Sequence, residues 1–431
     1  MEAGLLPRSL PSDPTSGQET ATHPVAVSAP GKLILMGEHA VVYGRPALVA
    51  AIDRRLTVRV SPRPDGAVRL DLPGLAHDEE TSWPEVLAYA RAARESWGAY
   101  SREPAPERFR EVRGVDPAHV VKVALGETLI TPALFSRPLP PPSPGEEGEK
   151  PENDLDVPPL PVRGVARGRE RGPGGEGSGR GRSEATLPGL SIRVDSQLPI
   201  GSGFGSSAAT AVGVIAGCLA FLGSPLDLLR IEGLALEVER RQHGLPSGVD
   251  SATVLFGGLL WARKLPAGGL ETERLASSSP LLRRLRVYDT GMPPESTGAV
   301  VAAVRGWRDQ DPAGHERLLD RIEAATRAFR AQLEQPVEDA DRVVELIRES
   351  QACLEELGVV PEAVRSVVRL IEDEGGAAKV SGAGSLAGPG AGSLLVYHVD
   401  SERIASWPFL RSYSFHPILL GADGLRRETD A

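Results

Sequence analysis

Three short stretches of this chain gather polar or charged side chains among glycines, and one of them is suited to holding phosphate. The first is Pro199-Ile-Gly-Ser-Gly-Phe-Gly-Ser-Ser-Ala-Ala209, in which glycines alternate with small polar residues. Gly201, Gly203 and Gly205 lack a Cβ, so the backbone can turn sharply and come close to an anion. Ser206 and Ser207 add hydroxyls where a helix would begin, and where its dipole favours negative charge. The known nucleotide fingerprints do not fit, because no Gly-Lys-Ser/Thr follows and the spacing is not Gly-x-Gly-x-x-Gly. The plain alternative is a flexible Gly/Ser linker. The other two stretches, Ala29-Pro-Gly-Lys32 and Lys379-Val-Ser-Gly-Ala-Gly384, each set a lysine among glycines. The chain holds 48 basic residues, of which only Lys32, Lys122, Lys150, Lys264 and Lys379 are lysines. Where arginine does most of the solvation, a lysine in a glycine motif suggests a compact ammonium at work.

Defined elements must present these groups. Alternation over residues 190–196 predicts a strand running into the Gly/Ser loop, and the Ala- and Leu-rich run 208–223 predicts a buried helix leaving it. A linker between two apolar elements is the weaker reading. Residues 25–44 predict two short strands around Ala29-Pro-Gly-Lys32, then a turn at Gly37-Glu-His39. Residues 226–243 share an apolar face and predict a helix stopped by Gly244, with Leu245-Pro-Ser-Gly-Val-Asp250 as a rigid turn and a strand at 258–262. Residues 266–280 read as a crossover. Beyond it, strands at 285–290, 377–381 and 393–397 interleave with helices at 298–307, 314–332, 337–357 and 361–374, an α+β arrangement.

Composition narrows the function classes. A chain of 431 residues with 41% hydrophobic and 25% charged residues can build two or three domains with a sizeable core. Its formal net charge of −10 disfavours nucleic acid as a partner. Cys218 and Cys353 give neither a disulfide framework nor a metal-ligand spacing, so a zinc site is not expected and a reducing cytoplasm is. The first residues have no apolar run of a secretory signal, and the longest apolar stretch suits a core helix better than a membrane span. Residues 1–23 read as a disordered tail, and residues 137–187, rich in Pro, Gly, Glu and Arg, as a disordered insertion within a domain.

Taken together with Gly37-Glu-His-Ala-Val-Val-Tyr-Gly44 and Pro246-Ser-Gly-Val-Asp250, the three motifs, in this order, resemble the GHMP kinase superfamily, most closely its mevalonate kinase branch. The resemblance runs from residue 25 to about 397, outside the insertion. It implies an α+β GHMP kinase two-domain fold: a ribosomal protein S5 domain 2-like N-terminal domain over 24–265 and a ferredoxin-like C-terminal domain over 280–420. ATP and substrate would share the cleft between them. Two departures stand out. Phe204 replaces a usual leucine, and the third motif continues as Ser385-Leu-Ala-Gly-Pro-Gly-Ala-Gly392 instead of an unbroken glycine run. Pro389 removes an N–H and fixes φ there, so the later part of that loop is expected to differ in shape.

The resemblance also implies roles. The reaction would be ATP-dependent phosphorylation of the C5 hydroxyl of mevalonate with Mg2+, with no nucleic acid or membrane partner and with a homodimer allowed. Asp250 and Lys32 match the catalytic aspartate and lysine; alone, Asp250 would read as an Asx-turn residue. Glu239 and Ser207 match the metal ligands, although a glutamate beside Glu237, Arg240 and Arg241 is ordinarily solvated. Ser196, Gly201, Ser202, Gly203, Phe204, Gly205, Ser206, Ser207, Gly382 and Gly384, with Lys32, match the ATP-binding positions. Glu38, His39 and Thr297 match the substrate side. The plain readings are a strand-end hydroxyl for Ser196, a helix N-cap for Thr297 and a core hydrogen-bonding residue for His39. Another GHMP small-molecule kinase, such as a phosphomevalonate kinase, and a catalytically silent homologue are the alternatives; Lys32 and Asp250 together count against the silent one.

Overall fold

The computed structural model describes residues 23–103, 106–131, 187–199, 201–266 and 268–429. The expected tail and the expected insertion, apart from His23 and Leu187, lie outside the described residues. The strands are β1 (Val25–Met36), β2 (Pro46–Arg63), β3 (Val68–Leu72), β4 (His77–Thr81), β5 (Gly189–Ser196), β6 (Leu259–Lys264), β7 (Leu270–Leu275), β8 (Arg286–Asp289), β9 (Ala377–Ser381), β10 (Ser393–Tyr397), β11 (Ser414–His416) and β12 (Arg426–Glu428). The helices are α1 (Trp83–Arg102), α2 (Pro106–Arg113), α3 (His119–Ile130), α4 (Ser206–Phe221), α5 (Leu228–His243), α6 (Val249–Phe256), α7 (Pro280–Arg284), α8 (Thr297–Gln310), α9 (Pro312–Leu333), α10 (Ala340–Glu356), α11 (Glu362–Asp373) and α12 (Ser401–Ile404). The fold is therefore α+β, as expected.

Strands of the first sheet run β12-β1-β2-β5-β3-β4, with β6 on β2 and β7 on β6; the second sheet runs β11-β8-β10-β9. The two strands expected around Ala29-Pro-Gly-Lys32 are one continuous strand, β1, whose register against β2 shifts between Pro30 and Gly31. The unmatched residues, Asp53 and Arg54, belong to β2, so β2 bulges there while β1 runs on through Pro30, which has no N–H for the ladder. The expected crossover at 266–280 contains β7, an almost fully polar strand paired with β6. Its side chains alternate too little to betray a strand. The polypeptide also returns late: β12 pairs with β1, so the last described residues complete the first sheet.

The apolar α4 is buried on nearly every side, as an all-round hydrophobic helix should be. Its small residues let it sit tightly on β2. A Cβ on Gly213 would lie 2.8 Å from Val58 Cγ2, and one on Gly217 would lie 3.0 Å from Val60 Cγ2. Among the described residues no helix is long and apolar enough to cross a membrane. Around α4 stand α3 and α5, tied by a buried ion network: Glu127 on α3 pairs with Arg241 on α5 at 3.2 Å and also with Arg94 on α1 at its other oxygen. The second sheet packs against α10 and α11 around a core that includes Leu354, Val364, Val368 and Ile371.

Polar groups lock the two sheets together where β1 meets β9. Ser381 Oγ accepts from Ile34 N–H at 3.1 Å and donates to Ile34 C=O at 2.8 Å. Lys379 on β9 forms an ion pair with Glu38, just past β1, and also donates to Val380 C=O at 2.9 Å. Farther out, Arg45 pairs with Glu316, Asp320 and Glu323 on α9.

Burial also makes the fold acid-sensitive. His119 is 4% exposed, and burial lowers its pKa from 6.5 to about 4; its Nδ1 lies 2.9 Å from the Tyr89 hydroxyl. A depressed folded pKa means that the unfolded chain takes up a proton between pH 6.5 and 4 that the native chain refuses. The stability this neutral ring contributes is complete above the unfolded value and is lost as pH falls through the window, by about 1.4 kcal/mol per pH unit. Denaturant titrations from pH 7 to 4 are expected to show a shallower decline for His119→Gln than for the parent chain. An identical slope in the two proteins would refute this.

Candidate active site

A cavity of about 410 Å³ opens where the first sheet, the second sheet and the Gly/Ser loop meet. Its walls hold Lys32 from β1, Gly201 to Ser207 in part, Glu239 and His243 from α5, Asp250 from α6, Thr297 from α8, and Gly382 to Gly384. Residues far apart in the chain thus converge on one space.

The loop is pinned before it reaches the cavity. Lys32 N–H donates to Phe204 C=O at 2.9 Å, and Ser202 Oγ donates to Asp289 Oδ2 on β8 at 2.6 Å. Ser202 and Phe204 are buried, so of this pair only backbone is left for a ligand, and the Phe204 ring meets His416 edge-on at 5.2 Å. Gly205 is the residue where glycine is required: its φ is +74°, and a Cβ there would stand 2.7 Å from Lys32 Cγ. As N-cap of α4 it brings no side chain to occupy the first helical N–H groups. Those groups and the positive end of the helix are left to an anion.

Packed against the loop at Gly205, Lys32 reaches Asp250, its Nζ 3.0 Å from Asp250 Oδ2. The lysine side chain is 4% exposed and the aspartate 32%, so the pair reaches the cavity from the aspartate side. The rigid turn expected to end at Asp250 is instead the entry to a helix: Gly248 (φ +85°) is the N-cap of α6, and Asp250 lies in its first turn. The Asx-turn reading of Asp250 thus gives way to a first-turn carboxylate aimed at a lysine.

Glu239 is not a solvated helix-end residue. It is 4% exposed, and its Oε1 accepts from Ser251 N–H at 2.8 Å and from the Ser251 hydroxyl. Burial, then the charge of Asp250, pushes its pKa up to about 7. Glu239 and Asp250 thus bring two carboxyl groups to the cavity, and the charge of each opposes ionisation of the other. The Glu239 carboxyl and the Ser207 hydroxyl, lining the same cavity, are hard oxygen donors of the kind that suit Mg2+. Another acidic group, His77, Glu79 and Asp116, already holds a cation of its own: Lys122 Nζ lies 2.8 Å from Glu79 and 2.7 Å from Asp116.

His39 lines the cavity with its Nε2 3.0 Å from Ala383 C=O, and burial lowers its pKa to about 4. Its φ of 59° is rare for a residue with a side chain, a strain of order 1–3 kcal/mol. Glu38 does not reach the cavity. It lies behind the wall, 1% exposed, in the ion pair with Lys379. Ser196 is also outside, at the exposed end of β5, where its Oγ accepts from Leu198 N–H at 3.0 Å. That is the strand-end hydroxyl reading. Thr297 lines the cavity as the first residue of α8, while the N-cap is Ser296, whose side chain accepts from Ala299 N–H.

The departure in the third motif turns out to the rim of the cavity at its start and returns to the wall at Ala391. Ser385 Oγ donates to Glu295 Oε2 at 2.7 Å, and a Cβ on Gly388 would lie 3.2 Å from Pro294. The unusual residues therefore pack on the rim formed by 292–296, while Gly382, Gly384 and Gly392 keep their places in the wall. Several wall residues lie outside the motifs, among them His243, Arg113 and Gln242, and Ser381 lies within the third motif but was not expected as a site residue. For His243 a signal existed: it stands four residues after Glu239, on the same face of one helix.

Known proteins resemble this chain over most of its length. A family profile described as GHMP kinases N terminal domain matches residues 177–258. A mevalonate kinase of Mus musculus is 30% identical over 395 residues, covering 86% of this chain and 85% of that protein. A crystal structure of a mevalonate kinase superposes with a TM-score of 0.61 at 17% identity, covering 92% of this chain and 98% of that one. The L. major mevalonate kinase, solved in complex with R-mevalonate, gives a TM-score of 0.58 at 19% identity, covering 95% and 100%. The two structural likenesses speak for the fold.

Proposed function

This chain belongs to the mevalonate kinase family of the GHMP kinases, and on that premise we propose how its cavity performs the family's reaction. The protein is an ATP-dependent kinase that phosphorylates the C5 hydroxyl of mevalonate, giving 5-phosphomevalonate for isoprenoid precursor synthesis. The observation that carries the site reading is the Lys32–Asp250 pair, 3.0 Å apart, lining one cavity with the N-terminus of α4, which has no side-chain cap and whose N-cap Gly205 packs on Lys32.

Phosphoryl transfer asks the protein for alignment, for neutralisation of charge and for a place to put the hydroxyl proton. In our reading ATP lays its phosphates on the N–H groups of Gly203 to Ser207, with Gly382 and Gly384 closing the opposite wall. Mevalonate enters beside His39 and Thr297. As the C5 oxygen forms its bond to the γ-phosphorus, its proton passes to Asp250, and ADP leaves with the electron pair of the broken P–O bond. Lys32 stays beside Asp250 and faces the negative charge gathering on the transferred group. Glu239 and Ser207 would hold Mg2+, which when bound neutralises phosphate charge. Glu38 serves the acceptor side from behind, by fixing the turn that carries His39. A cytoplasmic location is part of the same proposal, in keeping with two free, buried cysteines.

The test is ADP release by the purified chain with mevalonate, galactose and homoserine offered in parallel. Turnover with mevalonate is expected to exceed that with either alternative by at least about a hundredfold, since a site built for one acceptor leaves its polar groups unpaired with another. Equal or faster turnover with galactose or homoserine would contradict the proposal.

A further inference from the structure

Ser207 does not stand alone at the head of α4. Its Oγ lies 3.1 Å from Nε2 of His243, and both residues line the cavity together with Glu239. We infer that His243 is a positioning residue for the divalent cation: its ring takes the Ser207 hydroxyl proton in a hydrogen bond, so that the serine oxygen presents its lone pairs to the ion that Glu239 also binds. The inference rests on the reading of Ser207 and Glu239 as the ligand pair.

A serine hydroxyl has one proton and two lone pairs on a freely turning bond. As a ligand it works only when the proton points elsewhere. In the first turn of a helix a serine also has local backbone partners that compete for the same oxygen. A fixed acceptor on the far side settles both matters, because it claims the proton and sets the rotamer. Groups that orient metal ligands from behind in this way are worth roughly 10–100-fold in metal affinity.

His243 meets the requirements of such an acceptor. It is the last residue of α5, four positions after Glu239, so both side chains leave the same face of the helix. Its backbone is held on each side: Gly244 N–H donates to Arg240 C=O at 2.9 Å, and Leu245 N–H donates to His243 C=O at 3.1 Å. The Trp97 indole N–H donates to Gly244 C=O at 3.0 Å. Two residues earlier, the buried Arg241 anchors the helix to Glu127 at 3.2 Å. The residue type also fits. A carboxylate in this place would add a third negative charge beside Glu239 and Asp250, and a lysine could not accept the proton. Since Nε2 is engaged with Ser207, His243 acts through the serine instead of ligating the ion itself.

The experiment is Mn2+ binding to the full chain in the presence of ADP, followed by the loss of the free-ion electron paramagnetic resonance signal. His243→Leu is expected to weaken Mn2+ binding by about tenfold, and Ser207→Ala by a similar factor. The double variant should bind no more weakly than Ser207→Ala alone, because the ring acts only through that hydroxyl. His243→Gln, whose amide oxygen can accept the same proton, should recover to within about threefold of the parent. Unchanged binding in His243→Leu, or a double variant whose loss is the product of the two single losses, would overturn the inference. The measurement needs no acceptor, so a failure to phosphorylate mevalonate would leave this result standing on its own.

Discussion

Asp250→Asn is expected to lower kcat for mevalonate by about 10²–10⁴, the range for loss of a positioned proton acceptor. The amide keeps the size of the carboxylate and can still accept a hydrogen bond from Lys32, whose Nζ lies 3.0 Å away. What it removes is the basic oxygen that takes the C5 hydroxyl proton. ATP affinity should change little, because the phosphates rest on the loop N–H groups and the α4 N-terminus, which Asp250 does not touch. A drop confined to kcat, with the nucleotide dissociation constant within about threefold of the parent, is therefore the expected pattern. An Asp250→Asn enzyme with near-parental kcat at saturating Mg2+ would remove this residue as the base.

Breaking the Glu38–Lys379 pair is the second large effect. Both side chains are essentially sealed from solvent, at 1% and 0% exposure. Burial pushes the Glu38 pKa up and the Lys379 pKa down, while their mutual attraction opposes both shifts. Lys379→Met leaves the carboxyl buried with no cation, and Glu38→Met leaves the ammonium buried with no anion. Each single change is expected to cost about 3–5 kcal/mol in denaturant unfolding, the usual penalty for orphaning one member of a buried pair. Glu38→Met combined with Lys379→Met should cost much less than the sum, since two apolar groups of similar volume then fill the joint. Additive losses would show that the pair does not act as a unit.

The parts of the site that were legible in the chain are those written in consecutive residues. A loop such as Gly201 to Ser207 needs glycine for close approach and a helix behind it, and both signals lie within about twenty residues. Lys32 was legible from the Pro30-Gly31 before it, whereas Asp250 alone read as a turn residue and took its role from the resemblance of Pro246-Ser-Gly-Val-Asp250. What escaped depends on contacts between distant segments. Lys379 was noted only as a compact ammonium in a glycine motif, and its partner, 341 residues away, holds it behind the wall. Nothing local to Glu239 distinguishes it from its solvated neighbours; the Ser251 hydrogen bonds that bury it come from the following helix. Ser296 and Thr297 are both able to cap α8, and only the backbone geometry chooses Ser296. In the fold, α4 was legible from its uniform apolarity, whereas β7 and β12 were not. Their residues are polar, and each becomes a strand only because β6 and β1 offer an open edge.

The central claim is that this cavity phosphorylates an unphosphorylated acceptor, mevalonate, at C5. The most direct test compares kcat/KM for mevalonate and for 5-phosphomevalonate on the same enzyme, with the product phosphate located by coupled phosphorus–proton NMR. Mevalonate is expected to be preferred by at least about a hundredfold, with the new phosphate on the C5 oxygen. A higher kcat/KM for 5-phosphomevalonate, or phosphate on any other oxygen, would contradict it.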